Sequence, residues 1–185
     1  FKAGEREIAR FKVVVQVLPF SLPAPKTRYD PSQEYAVSIY YRGRLNSENR
    51  GKVGFKTKSE QQFRAELQMM YDHGIVAPLM LLGGHLPGAV RPLPLFRKHL
   101  AIMREIGMAG RPLYLGENCR MGDLGYLREL VLEVVSSARE YGFTDVYFYG
   151  QDEAPTEVMK EQIPAWRTVH EAGAKVQVAV TYDYL

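Results

Sequence analysis

The sequence predicts an α/β fold of the (β/α)8 TIM-barrel type, and three observations lead to it. From about residue 33, strand-length apolar runs alternate strictly with segments of helical period. Strand starts recur about every 30 to 45 residues, the spacing of a strand plus a crossover helix. Two adjacent carboxylates, Asp152 and Glu153, stand shortly after the fourth such strand, where parallel barrels place their chemistry.

The elements follow in order. Phe11, Val13, Val15 and Val17 alternate with Lys12 and Gln16, which predicts a half-exposed strand ending at Pro19. Residues 21–31 hold three prolines and read as a linker, so residues 1–32 are expected to be the tail of a preceding β domain. The barrel part, residues 33–185, opens with a strand over 35–40. Thr57-Lys58-Ser59-Glu60 reads as a capping box, with Phe63, Leu67 and Met70 on one helical face up to Gly74. A second strand over 77–82 precedes a helix opened by Pro94, with Phe96, Leu100 and Met103 on one face. A third strand covers 112–115, followed by a helix marked by Leu127, Leu130, Val134 and Ala138 and closed by Gly142. The run 144–149 is the fourth strand. A helix over 156–172 follows, in which Pro164 predicts a kink or break, and residues 175–180 form the fifth strand.

A doubly wound sheet fits this periodicity equally well. However, no G-x-G-x-x-G follows the first strand and no Walker A sequence occurs, so the usual nucleotide sites are absent. A barrel needs eight strand-helix units, and five strands with four helices are read here. Open sheet edges are a liability, so the remainder of the barrel, or a partner, is expected to cover them. The 185 residues, 46% hydrophobic, suffice for a real core. The net charge of +3 is scattered, which argues against a nucleic-acid partner. No apolar run reaches the ~18 residues of a membrane span. The single Cys119 excludes an intrachain disulfide.

Residues just past each strand would line one barrel mouth. Tyr40, Tyr41 and Arg42, His85, Glu117 and Asn118, Asp152 and Glu153, and Tyr182 and Asp183 stand there. Aromatic rings that stack on sugar C–H faces, with carboxylates and amides that bind hydroxyls, suit a carbohydrate. Plainer readings exist for each. Asp152 and Glu153 could cap the next helix. Tyr147 and Tyr149 read as core or helix-facing packing, and Trp166 as a helix–sheet core residue. His73, His99 and His170 fall in helices. A metal held by His85, Glu117 and Asp152, or a Cys119 nucleophile with His85 as base, has no diagnostic spacing behind it.

The stretch Tyr147 to Pro155, with Trp166 to Lys175, resembles the barrels of glycoside hydrolase family 123 and related families. Those proteins carry Asp-Glu-Ala/Pro after the fourth strand, then a Trp-containing helix and a His-Glu-Ala-Gly turn. The resemblance implies retaining hydrolysis of N-acetylhexosaminides assisted by the substrate's own acetamido oxygen, without a cofactor or a metal. It also implies a secreted or periplasmic protein. Glu153 would then be the general acid/base and Asp152 the residue that orients the acetamido group. Tyr40, Arg42, His85, Glu117, Asn118, Tyr182 and Asp183 would bind substrate. Gly150-Gln151 departs from the more apolar approach expected there, which leaves the sugar open. Two other readings remain. One is a two-carboxylate glycosidase with Glu117 or Asp183 as nucleophile; the other is a non-catalytic carbohydrate-binding or scaffold barrel.

Overall fold

The computed structural model describes residues 37–45, 56–81, 93–119 and 122–179, together with 2–3, 6–7, 12–17 and 19. Near the start, β1 (Lys2–Ala3) pairs antiparallel with β2 (Arg6–Glu7). The predicted strand that follows is not realised. Residues 12–17 carry no strand, and Val13, Val14, Val15 and Val17 are 70–88% exposed. Alternation buries one face only where another layer lies against it, and among the described residues nothing does.

The remaining elements are β3 (Arg44–Leu45), β4 (Thr57–Lys58), α1 (Glu60–Asp72), α2 (Leu93–Ile106), β5 (Leu113–Asn118), α3 (Leu124–Glu140), β6 (Val146–Tyr149), α4 (Thr156–Glu171) and β7 (Lys175–Gln177). The central sheet is parallel and strictly sequential. Val37 and Tyr40 bridge Ile75 and Leu79, Met80 bridges Leu115, and β5, β6 and β7 are hydrogen-bonded neighbours. Among the described residues the first strand thus lies at an edge, whereas a doubly wound order would put it inside. β3 also pairs in parallel with β4, just ahead of α1.

The four described helices pack on one face. Phe63, Leu67 and Met70 of α1, Phe96, Leu100 and Met103 of α2, Leu127, Leu130, Val134 and Ala138 of α3, and Ala165 and Val169 of α4 share one buried cluster. Met80, Leu113, Leu115, Val146 and Phe148 meet them from the sheet. Each fully buried Leu or Phe stabilises by about 1.5–3 kcal/mol. Side chains alternate along a strand, so Tyr114, Tyr147 and Tyr149 point to the other face. Of the expected core or helix-facing packing of Tyr147 and Tyr149, the burial of Tyr149 is seen, but the helix-facing part is corrected here: Val146 and Phe148 take that role. Tyr114 and Tyr147 stack at 4.9 Å, and Lys175 sits 5.5 Å over the Tyr147 ring.

Local boundaries differ from expectation in three places. The capping box of α1 is Ser59 with Gln62, because Thr57 is taken up in β4. β5 runs on to Asn118, so Glu117 and Asn118 lie within a strand rather than beyond it. The helix α4 continues through Pro164, whose missing N–H interrupts the ladder without ending the helix. No helix among the described residues is long and apolar enough to cross a membrane.

His99 of α2 is buried at 2% exposure, stacks on Phe63 at 4.7 Å, and accepts the Leu45 N–H on Nε2 at 3.1 Å. Nε2 is therefore the unprotonated nitrogen, and the buried Nδ1 has no partner. Burial pulls the imidazole down to about 4 from 6.5. Since the fold favours the neutral ring, its contribution is complete above about pH 6.5 and is lost as pH falls towards 4. That loss is about 3 kcal/mol. Urea midpoints measured at pH 7 and pH 4 should therefore diverge less in His99→Gln than in the parent chain; equal pH dependence would refute the assignment.

Candidate functional site

Gly150 ends β6 where the sheet leaves no room for a side chain. A Cβ there would lie 2.6 Å from Val178 Cγ1 and 3.4 Å from Trp166 Cζ2. Glycine is required by close packing, and its φ is not positive. The expected bend at Gly150 lies instead at Glu153, whose φ of 48° is left-handed. A residue with a Cβ pays about 1–2 kcal/mol for that conformation, and such outliers cluster at functional sites.

The chain from Gly150 to Glu153 is held from both sides. The N–H of Gly150 donates to the Gln177 carbonyl at 2.8 Å and that of Glu153 to Ala179 at 3.1 Å. On the helix side, buried Gln162 of α4 accepts the Gln151 N–H on Oε1 at 2.8 Å and donates from Nε2 to the Val158 carbonyl at 3.1 Å. A glutamine in an otherwise ordinary helix gave no sequence signal for this clasp, since the contact depends on how α4 packs.

A cavity of about 250 Å³ opens at the C-terminal ends of the parallel strands. Among the described residues its walls are Tyr40, Tyr41, Arg42, Leu79, Leu81, Gly116, Tyr149, Gly150 and Asp152. Tyr149 is 8% exposed. Its hydroxyl accepts from Tyr40 at 2.5 Å and donates to Asp152 Oδ1 at 2.7 Å. Burial, followed by the bonds to Tyr40 and Asp152, holds this phenol well above its ordinary range, so it remains a donor. The Tyr41 hydroxyl instead donates to Glu66 at 2.7 Å, and its ring lies against Phe63.

The expected site residues divide into three groups. Tyr40, Arg42 and Asp152 come together around the cavity. Glu153 follows Asp152 on the turn, is exposed, and is not among the described walls. His85, Tyr182 and Asp183, and the side chains of Glu117 and Asn118, lie outside the described residues. Tyr149 was missed because its partner Tyr40 stands 109 positions away. The capping reading of the acid pair finds no hydrogen bond behind it: the N-cap of α4 is Pro155, with no side-chain cap, and Asp152 is engaged by Tyr149.

The chain matches no family model, no curated protein and no solved structure. The site therefore has to be read from its own chemistry. Among the described residues no cluster of His, Cys, Asp and Glu could hold a metal ion. Cys119 is fully buried, and burial pushes its thiol up to about 11, the reverse of an activated nucleophile. The cavity instead offers a fixed carboxylate, a free oxygen on Tyr40, an exposed guanidinium and two leucines. That combination suits a ligand with hydroxyl or amide groups and an apolar face.

Proposed function

We propose that this chain supplies five strands and four helices of a barrel glycoside hydrolase acting on N-acetylhexosaminides by substrate assistance. The observation that carries the reading is Asp152, oriented by Tyr149 at the wall of a cavity on the C-terminal ends of sequential parallel strands. Asp152 would accept the acetamido N–H while the acetamido oxygen attacks the anomeric carbon. Glu153 would protonate the departing oxygen and then activate water. Tyr40 and Arg42 would bind the sugar's hydroxyls. The layer of described helices on one side also supports a barrel, since the aromatic face of the sheet would become the interior.

A second reading has its own support. Glu153 stands outside the described walls, as a barrel that binds carbohydrate without cleaving it would allow. Turnover separates the two. The chain should release nitrophenol from a 4-nitrophenyl N-acetylhexosaminide and leave the matching 2-hydroxy glycoside intact, because only the acetamido substrate carries the internal nucleophile. Equal rates on both substrates would contradict substrate assistance, and binding without turnover would favour the non-catalytic barrel.

A further inference from the structure

The hydroxyl chain Tyr40–Tyr149–Asp152 has a direction, and the direction defines a task. Tyr40 donates to Tyr149 at 2.5 Å and Tyr149 donates to Asp152 Oδ1 at 2.7 Å. The two rings meet edge to face with centroids 6.0 Å apart and planes at 84°. Tyr149 belongs to β6, which is paired on both sides, so its hydroxyl is held in place by the sheet. Asp152, by contrast, is exposed and lies on a turn.

We propose that Tyr149, steadied by Tyr40, is a positioning residue that occupies Asp152 Oδ1 and thereby presents Oδ2 to the acetamido N–H of the substrate. This rests on the hydrolase reading above. Among the described residues Oδ2 has no partner. A carboxylate with one oxygen fixed by a short hydrogen bond loses its freedom to rotate, and its second oxygen gains a defined direction. In the chemical step the acetamido oxygen forms a bond to the anomeric carbon as the glycosidic C–O bond breaks. The leaving oxygen takes its proton from Glu153, and positive charge develops on the acetamido nitrogen. Oδ2 lies against that nitrogen's N–H and stabilises the charge. An Asp152 free to turn would satisfy the ground state and miss this step, so the loss on removing Tyr149 should fall on kcat.

The test uses the full chain with Tyr149→Phe, Tyr40→Phe, Asp152→Asn and the double variant Tyr149→Phe/Asp152→Asn, assayed on a 4-nitrophenyl N-acetylhexosaminide. Tyr149→Phe should lower kcat by about tenfold or more with KM little changed, the scale of one lost charge-assisted hydrogen bond. Exposed Tyr40→Phe should follow in the same direction with a smaller loss. In the Asp152→Asn background Tyr149→Phe should cost nothing further. Additive losses, or a loss carried by KM, would overturn the positioning role. A second measurement does not depend on turnover. A downfield hydroxyl-proton resonance in the NMR spectrum should vanish in Tyr149→Phe and move upfield in Asp152→Ala. No such resonance, or one unmoved by Asp152→Ala, overturns the pairing. An intact resonance in a chain that cleaves neither glycoside would sink the hydrolase reading and keep the Tyr–Asp coupling.

Discussion

Glu153→Gln is expected to slow hydrolysis of an unactivated N-acetylhexosaminide by about 10²–10⁴-fold, the usual worth of general acid–base catalysis. The loss should shrink for a nitrophenyl leaving group, which departs without needing a proton. Asp152→Asn should impair both substrates, because its effect falls on the acetamido group that each of them shares. Stability should respond in the opposite sense to activity at position 153. The left-handed backbone there, with φ of 48°, suits glycine. Glu153→Gly should therefore melt no lower than the parent while turning over as poorly as Glu153→Gln. Full activity on the unactivated glycoside in either variant would remove Glu153 from the mechanism.

Phe148→Ala should produce the complementary result. Phe148 is 1% exposed and packs into the cluster between the sheet and the helices. Truncating such a side chain costs about 3–5 kcal/mol through lost burial and the cavity left behind. That is a large part of the ~5–15 kcal/mol that keeps a domain folded. Its neighbours Tyr147 and Tyr149 face the other way, so turnover per folded molecule should stay close to the parent value. Urea denaturation combined with activity measured well below the midpoint checks both halves. An unchanged midpoint would mean that the core is not organised around β6.

The two results rest on features of different legibility. Helical period alone picked out Phe63, Leu67 and Met70, then Phe96, Leu100 and Met103, then Leu127, Leu130, Val134 and Ala138, and all of these are buried on one side of the sheet. A 3.6-residue repeat with one apolar stripe has only one face to bury. The strands were harder. In β6 both faces are apolar or aromatic, so alternation shows that Tyr147 and Phe148 part company without showing which one meets the helices. The valines at 13–17 alternate well on paper and lie exposed all the same, because a pattern cannot supply the layer it needs.

The site was legible at its chemistry and illegible at its supports. Asp152 and Glu153 stand out as an acid pair behind a strand, and Tyr40 and Arg42 as residues past the first one. Tyr149 and Gln162 do not stand out. One works through a hydroxyl bond spanning 109 residues and the other through a buried amide that meets the loop only once α4 is docked. His99 belongs with them: a helical histidine whose buried contact with the Leu45 N–H arises from packing between α1, α2 and β3.

The central claim is that the cavity at the strand ends binds the acetamido sugar. The most direct measurement is a titration of the isotopically labelled chain with N-acetylgalactosamine, followed by amide NMR shifts. The account predicts that the perturbed amides gather at Tyr40, Arg42, Gly116, Gly150 and Asp152, and that galactose, which lacks the acetamido group, moves Asp152 far less. Shifts confined to other parts of the chain, or an equal response at Asp152 to both sugars, would contradict it.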